Sequence, residues 1–287
     1  MFFDNAKQYS EIDQRAITVF GMSGVGKTHL SAILRKNNWF HYSVDYRIGT
    51  RHMGEYIVDN FKREAMKVPF LHDLLSSDSI YISSNITFDN LEPLSTYLGT
   101  PGNPEKGGLP FEEYQLRQEQ HRIAELYALK DISYFIKRAK ELYNYSDFIA
   151  DTGGSLIEVI DLENDNDEIV KALTKNTALL YIEGTDDDAQ KLIKRFKKAP
   201  KPMYYRPEFL LKKWHEYKDV HAIKDDLDVD PIGFAIWGFE ALLKDRLPRY
   251  QALAKRYGYI VSSKDVATIR DGNDFNALML EAISDRK

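Results

Sequence analysis

Apolar and β-branched residues cluster in short blocks separated by longer amphipathic stretches. The run 16–20 (AITVF) is β-branched and aromatic and ends at a glycine, which predicts a buried strand. Residues 27–36 (KTHLSAILRK) place Leu30, Ile33 and Leu34 on one side of a helix. Four further blocks predict strands: 39–44 (WFHYSV), 147–150 (DFIA), 178–182 (ALLYI) and 257–261 (YGYIV). Helical patterns lie between them. Strands alternating with helices predict an α/β fold with a parallel sheet covered by its crossover helices.

The stretch 61–145 is too long for a simple crossover and reads as a mainly helical insertion. Within it, 80–88 (IYISSNITF) is read as a possible extra strand and 98–110 (LGTPGNPEKGGLP) as a loop dense in glycine and proline. Residues 111–128 are expected to be helical, entered just after Pro110. We find no internal repeat and no low-complexity tract.

Composition narrows the function classes. The 287 residues include 43% hydrophobic and 13% aromatic side chains, which excludes a disordered or fibrous chain. The formal charge of -5 gives no general case for a nucleic-acid or membrane partner, so any basic patch is local. With no cysteine there are no disulfides, thiolate nucleophiles or cysteine zinc sites. The seven histidines show no zinc-ligand spacing. No apolar run is long enough to span a bilayer, and the expectation is a soluble, cytoplasmic protein.

The most specific chemistry lies where the first strand meets the first helix. Gly21-Met22-Ser23-Gly24-Val25-Gly26-Lys27-Thr28 satisfies G-x-x-x-x-G-K-[ST] at every fixed position and sits between a predicted strand and a predicted helix. Glycines let backbone N–H groups converge on phosphate oxygens, and the helix N-terminus adds a favourable dipole. The expected nucleotide ligands are Gly21, Ser23, Gly24, Val25, Gly26, Lys27, Thr28 and His29, with Lys27 reaching the β- and γ-phosphates. The Thr28 hydroxyl is expected on magnesium. The bland alternative is a glycine-rich turn that binds nothing. The chain contains neither the N-K-x-D of translational GTPases nor the LSGGQ signature of ABC ATPases.

Several segments then recur in an order that resembles shikimate kinase and its nucleoside-monophosphate-kinase-like relatives. Ser43-Val44-Asp45 followed by Arg47, and 56–64 (YIVDNFKRE), resemble the family's acidic strand end and F-R-x-x-E helix. Asp151-Thr152-Gly153-Gly154-Ser155 is similar to its glycine turn against the substrate. Residues 190–195 (QKLIKR) with Lys197, Lys198 and Lys201 resemble its nucleotide-contacting helix and basic lid. Arg246 to Tyr250 resembles its R-x-x-x-Y helix.

The resemblance covers about half of the chain and implies a P-loop NTPase three-layer sandwich with a parallel five-stranded sheet. The whole chain then forms a single kinase-like domain, with 61–145 inserted and 191–213 as a basic lid-like segment. It further implies ATP and Mg2+ as cofactors and a small anionic metabolite as acceptor. The chain departs from the pattern at Ser43, in the place of a first strand-end aspartate, and at Lys201, in the place of a lid arginine. The insertion and residues 212–232 enlarge the acceptor side, so shikimate itself is not the expected substrate.

Roles follow, each beside a plainer one. Asp45 is expected to accept or orient the acceptor's hydroxyl proton, against a solvated aspartate opening a loop. Asp151 holds a magnesium-bound water or caps the following turn. Arg47, Arg51 and His52 hold an anionic group or are surface charge. Gly153, Gly154, Arg206 and Arg246 complete the substrate side, with an ion pair as the alternative for Arg246. Arg195, Lys201 and Arg206 are the lid's candidate phosphate contacts; the same basic stretch also fits a solvated helix face or a nucleic-acid patch. Tyr204, Tyr205, Trp214 and Tyr217 fit a core better than a base-stacking platform. Three functions stay open in order of preference: a metabolite kinase, a regulatory ATPase or nucleotide sensor with a protein partner on the insertion, and a polynucleotide-directed kinase or nucleic-acid-binding ATPase.

Overall fold

The computed structural model describes residues 1–286. In chain order the elements are α1 (Ala6–Glu11), β1 (Ala16–Phe20), α2 (Lys27–Arg35), β2 (Trp39–Ser43), α3 (Val44–Arg47), a π-helical turn (Ile48–His52), α4 (Gly54–Ala65), α5 (Pro69–Ser76), α6 (Glu92–Leu98), α7 (Phe111–Tyr143), β3 (Asp147–Asp151), α8 (Glu168–Asn176), β4 (Ala178–Glu183), α9 (Asp186–Lys198), α10 (Pro207–Val220), α11 (Pro231–Tyr257), β5 (Gly258–Ser262), α12 (Ser263–Val266) and α13 (Gly272–Asp285).

The chain divides into two compact units. The first comprises Met1–Val44, Leu126–Pro200 and the described residues from Ile236 onward; the second comprises Asp45–Glu125 and Lys201–Ala235. Neither the 61–145 nor the 191–213 bounds drawn from sequence coincide with these divisions.

The first unit holds a five-stranded sheet, all parallel, in the order β2-β3-β1-β4-β5. Every residue of β1 and β3 is buried, as expected of strands covered on both faces. Thr18 is the polar member of β1, and its hydroxyl is satisfied at 2.8 Å by Thr177 Oγ1. The connection from β1 to β2 runs in one direction across the sheet, whereas those from β2 to β3, β3 to β4 and β4 to β5 run in the other. Right-handed crossovers therefore send α2 to one face and the later connections to the opposite face. The ends of β1, β3 and β4 thus meet where the chain changes faces, the place at which open parallel sheets bind ligands.

The second unit is helical. Its aromatic core centres on Trp214, stacked on Phe111 at 4.3 Å and edge-on to Phe234 at 5.0 Å. Tyr204, Tyr205, Trp214 and Tyr217 are all buried, in line with the core reading. Gly102 lies at φ +135°, where a Cβ would come within 2.5 Å of Val229 O, so the glycine-rich loop closes directly on the chain ahead of α11.

Two expectations are corrected. Residues 80–88 do not form a strand. Burial alternates along them, and Ile86 packs over Gly49, but no strand lies alongside to form a ladder. The helix expected over 111–128 runs on to Tyr143 because Ile132, Phe135 and Ala139 continue its apolar face, with no glycine or proline to stop it. It ends at Asn144, which takes φ +55° while Tyr145 N–H donates to Ala139 O at 3.0 Å, a left-handed C-terminal cap.

Candidate functional site

At the C-terminal end of β1 the chain turns through residues 21–26 before α2 begins at Lys27. Gly21, Gly24 and Gly26 take φ values of +140°, +90° and +98°, which side-chain-bearing residues rarely adopt. At Gly21 a Cβ would stand 2.6 Å from Ile182 O, so glycine is also needed for close passage beside β4. Ser23 and Gly24 are exposed at the crest of the turn, while Met22 and Val25 are buried beneath it. Lys27 is buried and folds back over the turn, its Nζ donating to Gly21 O at 2.8 Å and Met22 O at 2.9 Å. Thr28 and His29, in the first turn of α2, are exposed.

The neighbouring strand supplies the next wall. Asp151 ends β3, opposite Val19 on one side and Ser43 on the other. It is buried, with His41 Nε2 at 3.8 Å from Oδ2. Thr152 anchors the following turn twice to Val19 O, by its N–H at 3.2 Å and its hydroxyl at 2.9 Å. Gly153 and Gly154 are thereby held beside the 21–26 turn. A Cβ on Gly154 would lie 3.5 Å from Tyr250 Oη, 3.6 Å from a terminal nitrogen of Arg246 and 3.9 Å from Ser23 N.

Arg246 and Tyr250 are four residues apart on α11 and so project from the same face. The Tyr250 hydroxyl donates to Gly154 O. Arg246 Nε donates at 2.8 Å to Glu158 Oε1, whose side chain is fully buried, and Arg249 approaches the same oxygen at 3.6 Å. The ion pair weighed for Arg246 is therefore present, while its other arm lies beside Gly154. Burial pushes the Tyr181 hydroxyl well above the usual tyrosine range, and its ring stacks with Tyr250 at 5.8 Å.

The third wall comes from α9, whose N-terminus is fixed by a capping box between Thr185 and Asp188. Its exposed Arg195 reaches over the turn, one guanidinium nitrogen standing 3.4 Å from the Cβ position of Gly24. A side chain there would fill the space that the guanidinium faces. The turn, Lys27, Asp151, Gly153, Gly154, Arg195 and Arg246 thus lie together in the first unit.

The other candidates belong to the second unit. Asp45 and Arg47 are half-buried in α3, with His52 likewise half-buried and Arg51 exposed in the π-helical turn. Lys201 is exposed, 3.5 Å from Glu92. Arg206 is the N-cap residue of α10 and lies over the Phe209 ring. The basic stretch 191–213 is not one continuous flap. Its first part is helical, and residues 203–205 are fastened to α7: Tyr114 and Gln118 both donate to Met203 O, and Gln118 Oε1 accepts from Tyr205 N at 2.8 Å. Two adjacent large aromatics, Tyr204 and Tyr205, require that burial.

No model of a known protein family matches the chain, and no curated protein matches it.

Glu158 and His41 were not among the candidates from sequence, and Tyr250 entered only as the tyrosine of the R-x-x-x-Y resemblance. Glu158 carried a signal, since it interrupts the apolar run Leu156-Ile157-Glu158-Val159-Ile160, and a carboxylate in such a run needs a buried partner. His41 likewise interrupts the aromatic run Trp39-Phe40-His41-Tyr42. Among the described residues, no group of three or more His, Asp or Glu is placed to hold a metal by itself. A magnesium ion carried on a polyphosphate asks less of the protein, since it keeps several waters and takes only one or two protein oxygens. The Thr28 hydroxyl and the Asp151 carboxylate are oxygen donors of that kind. Three of the six residues of the 21–26 turn are glycines at positive φ, and Lys27 and Arg195 bring two cationic side chains to it.

Proposed function

We propose that this chain is a P-loop phosphotransferase with a shikimate-kinase-like core, using ATP and Mg2+ to phosphorylate the hydroxyl or phosphate of a small anionic metabolite. The observation that carries the reading is the 21–28 turn at the end of the central strand, with three glycines at positive φ, Lys27 folded over it and Arg195 facing Gly24. Backbone N–H groups of such a turn bind phosphate oxygens without a side-chain cost. Lys27 exchanges its two carbonyl contacts for the β- and γ-phosphates, and Arg195 adds a second cation from above.

Bound magnesium supplies charge neutralisation on the β- and γ-phosphates, with Thr28 and Asp151 as its protein-side partners. Gly154, Arg246 and Tyr250 form the wall beside Ser23 that favours an anionic acceptor, because Arg246 stays charged and is held by Glu158. Catalysis in this reading is positioning and charge stabilisation. Asp45, Arg47, Arg51, Lys201 and Arg206 enter the proposal through the family resemblance alone.

The test is ADP formation across a panel of anionic metabolites at fixed Mg-ATP. One acceptor raising turnover well above the basal rate supports the kinase. Turnover indifferent to every acceptor counts against it.

A further inference from the structure

Helix α9 is held at both ends. At its start, a Cβ on Gly184 would overlap Met22 Cε and stand 3.1 Å from Val25 Cγ1, so the entry to the helix lies against the buried side of the 21–26 turn. The Ser263 hydroxyl, in α12, donates at 2.7 Å to the same Asp188 oxygen that closes the capping box. Val266, also in α12, has its Cγ1 3.4 Å from the Cβ position of Gly26.

At the far end of α9 the buried rings of Phe196 and Phe239 lie parallel, 3.8 Å apart between centroids and 6° between planes. The next residue of each helix, Lys197 and Glu240, forms an ion pair. That pair is solvent-exposed and adds little, so the ring stack is the contact that seats this end of α9. Successive residues of a helix point 100° apart. Seating Phe196 therefore fixes the roll of α9, and with it the side from which Arg195 reaches Gly24.

Phe239 shares a face of α11 with Arg246 and Tyr250, two and three turns further on and within about 16 Å along the axis. Those two residues meet Gly154. One face of α11 thus carries the ring that seats α9 and the two groups that stand beside Gly154.

We propose that Phe196 and Phe239 are positioning residues, whose stack holds Arg195 over the phosphate-binding turn from a fixed helix rather than from a flap that closes on the nucleotide. This role rests on the nucleotide reading of the 21–28 turn. An arginine that clamps phosphate loses rotamer freedom, and a helix that is already seated leaves less to be ordered on binding. The effect of either ring on the nucleotide passes through Arg195.

Calorimetric titration of Mg-ATP into the full chain, Arg195→Ala, Phe239→Leu and the double variant tests it, with thermal unfolding to check that each chain is folded. Arg195→Ala should weaken binding about tenfold or more, as for a charge-assisted contact. Phe239→Leu should weaken it about threefold or more, yet change it by less than about 1.5-fold once Arg195 is alanine. Phe196→Leu should repeat the pattern, and it supplies the same cycle if Phe239→Leu fails to fold. Combined with Lys27→Ala, which removes the cation of the turn itself, Phe239→Leu should keep its full effect.

No binding by the wild-type chain overturns the nucleotide reading and the positioning role together. With wild-type binding intact, the positioning role alone is overturned if Arg195→Ala has no effect, or if the Leu variants have none. A loss from Phe239→Leu that is as large without Arg195 as with it marks a general distortion and overturns the role as well.

Discussion

Replacing Arg246 with methionine leaves the Glu158 carboxylate, fully buried, without the Nε–H that now reaches it at 2.8 Å. Breaking a buried ion pair from one side costs about 3–5 kcal/mol, because the remaining charge keeps its desolvation penalty. Arg249, 3.6 Å from the same oxygen, offers partial compensation and sets the expectation at the lower end, about 3 kcal/mol. In a domain of this size that loss lowers Tm by about 6–12 °C. Urea unfolding of Arg246→Met, with hydrogen exchange of the β3 amides to localise the effect, measures it. Arg246→Met combined with Glu158→Leu removes both charges and should recover most of the loss, since apolar replacement of a whole buried pair is close to neutral. A cost below about 1 kcal/mol for Arg246→Met, the range of exposed pairs, would show that the Arg246–Glu158 pair does not act as a buried one.

Gly21→Ala places a methyl 2.6 Å from Ile182 O at φ +140° and should cost about 1–3 kcal/mol. Gly107→Ala, at φ +80° with open space around it, should cost only the backbone part, about 1–2 kcal/mol; equal losses by urea midpoint would show that close approach to β4 is not the issue. Thr185→Ala removes the cap of α9 and should cost about 1 kcal/mol at neutral pH. The Thr185 backbone N–H, followed by the Ser263 hydroxyl, holds the Asp188 carboxyl below the usual carboxylate range. A carboxylate depressed in the folded state stabilises it above the unfolded pKa, about 3.9, and that contribution is lost as pH falls through the folded value. The stability gap between the wild-type chain and Asp188→Asn should therefore narrow from pH 6 to pH 3; a constant gap would contradict the assignment.

The sheet was readable from sequence because its inner strands β1, β3 and β4 are short, mainly apolar blocks that are almost wholly buried, so composition and position coincide. The 21–28 turn was readable because its backbone conformation demands glycine at fixed places. Other features depend on partners that local pattern does not reveal. Residues 80–88 have the alternation of a strand, but a strand is defined by its neighbour, and none lies beside them. The division into units falls inside α7 and brings 201–235 together with 45–125, a grouping with no local marker. Arg246 and Glu158 are 88 residues apart, and only the fold joins them. The basic composition of 191–213 reads as one lid-like segment, whereas Tyr204 and Tyr205 within it are buried, with Tyr114 and Gln118 bonded to the backbone of 203–205.

The proposed function requires the turn after β1 to bind the phosphates of ATP. Calorimetric titration of Mg-ATP into the full chain and into Lys27→Ala tests it most directly. The expected result is binding to the wild-type chain and a loss of affinity of about tenfold or more in the variant, as for a charge-assisted contact of about 1.4 kcal/mol or more. Unchanged affinity in Lys27→Ala, or no binding by the wild-type chain, would contradict it.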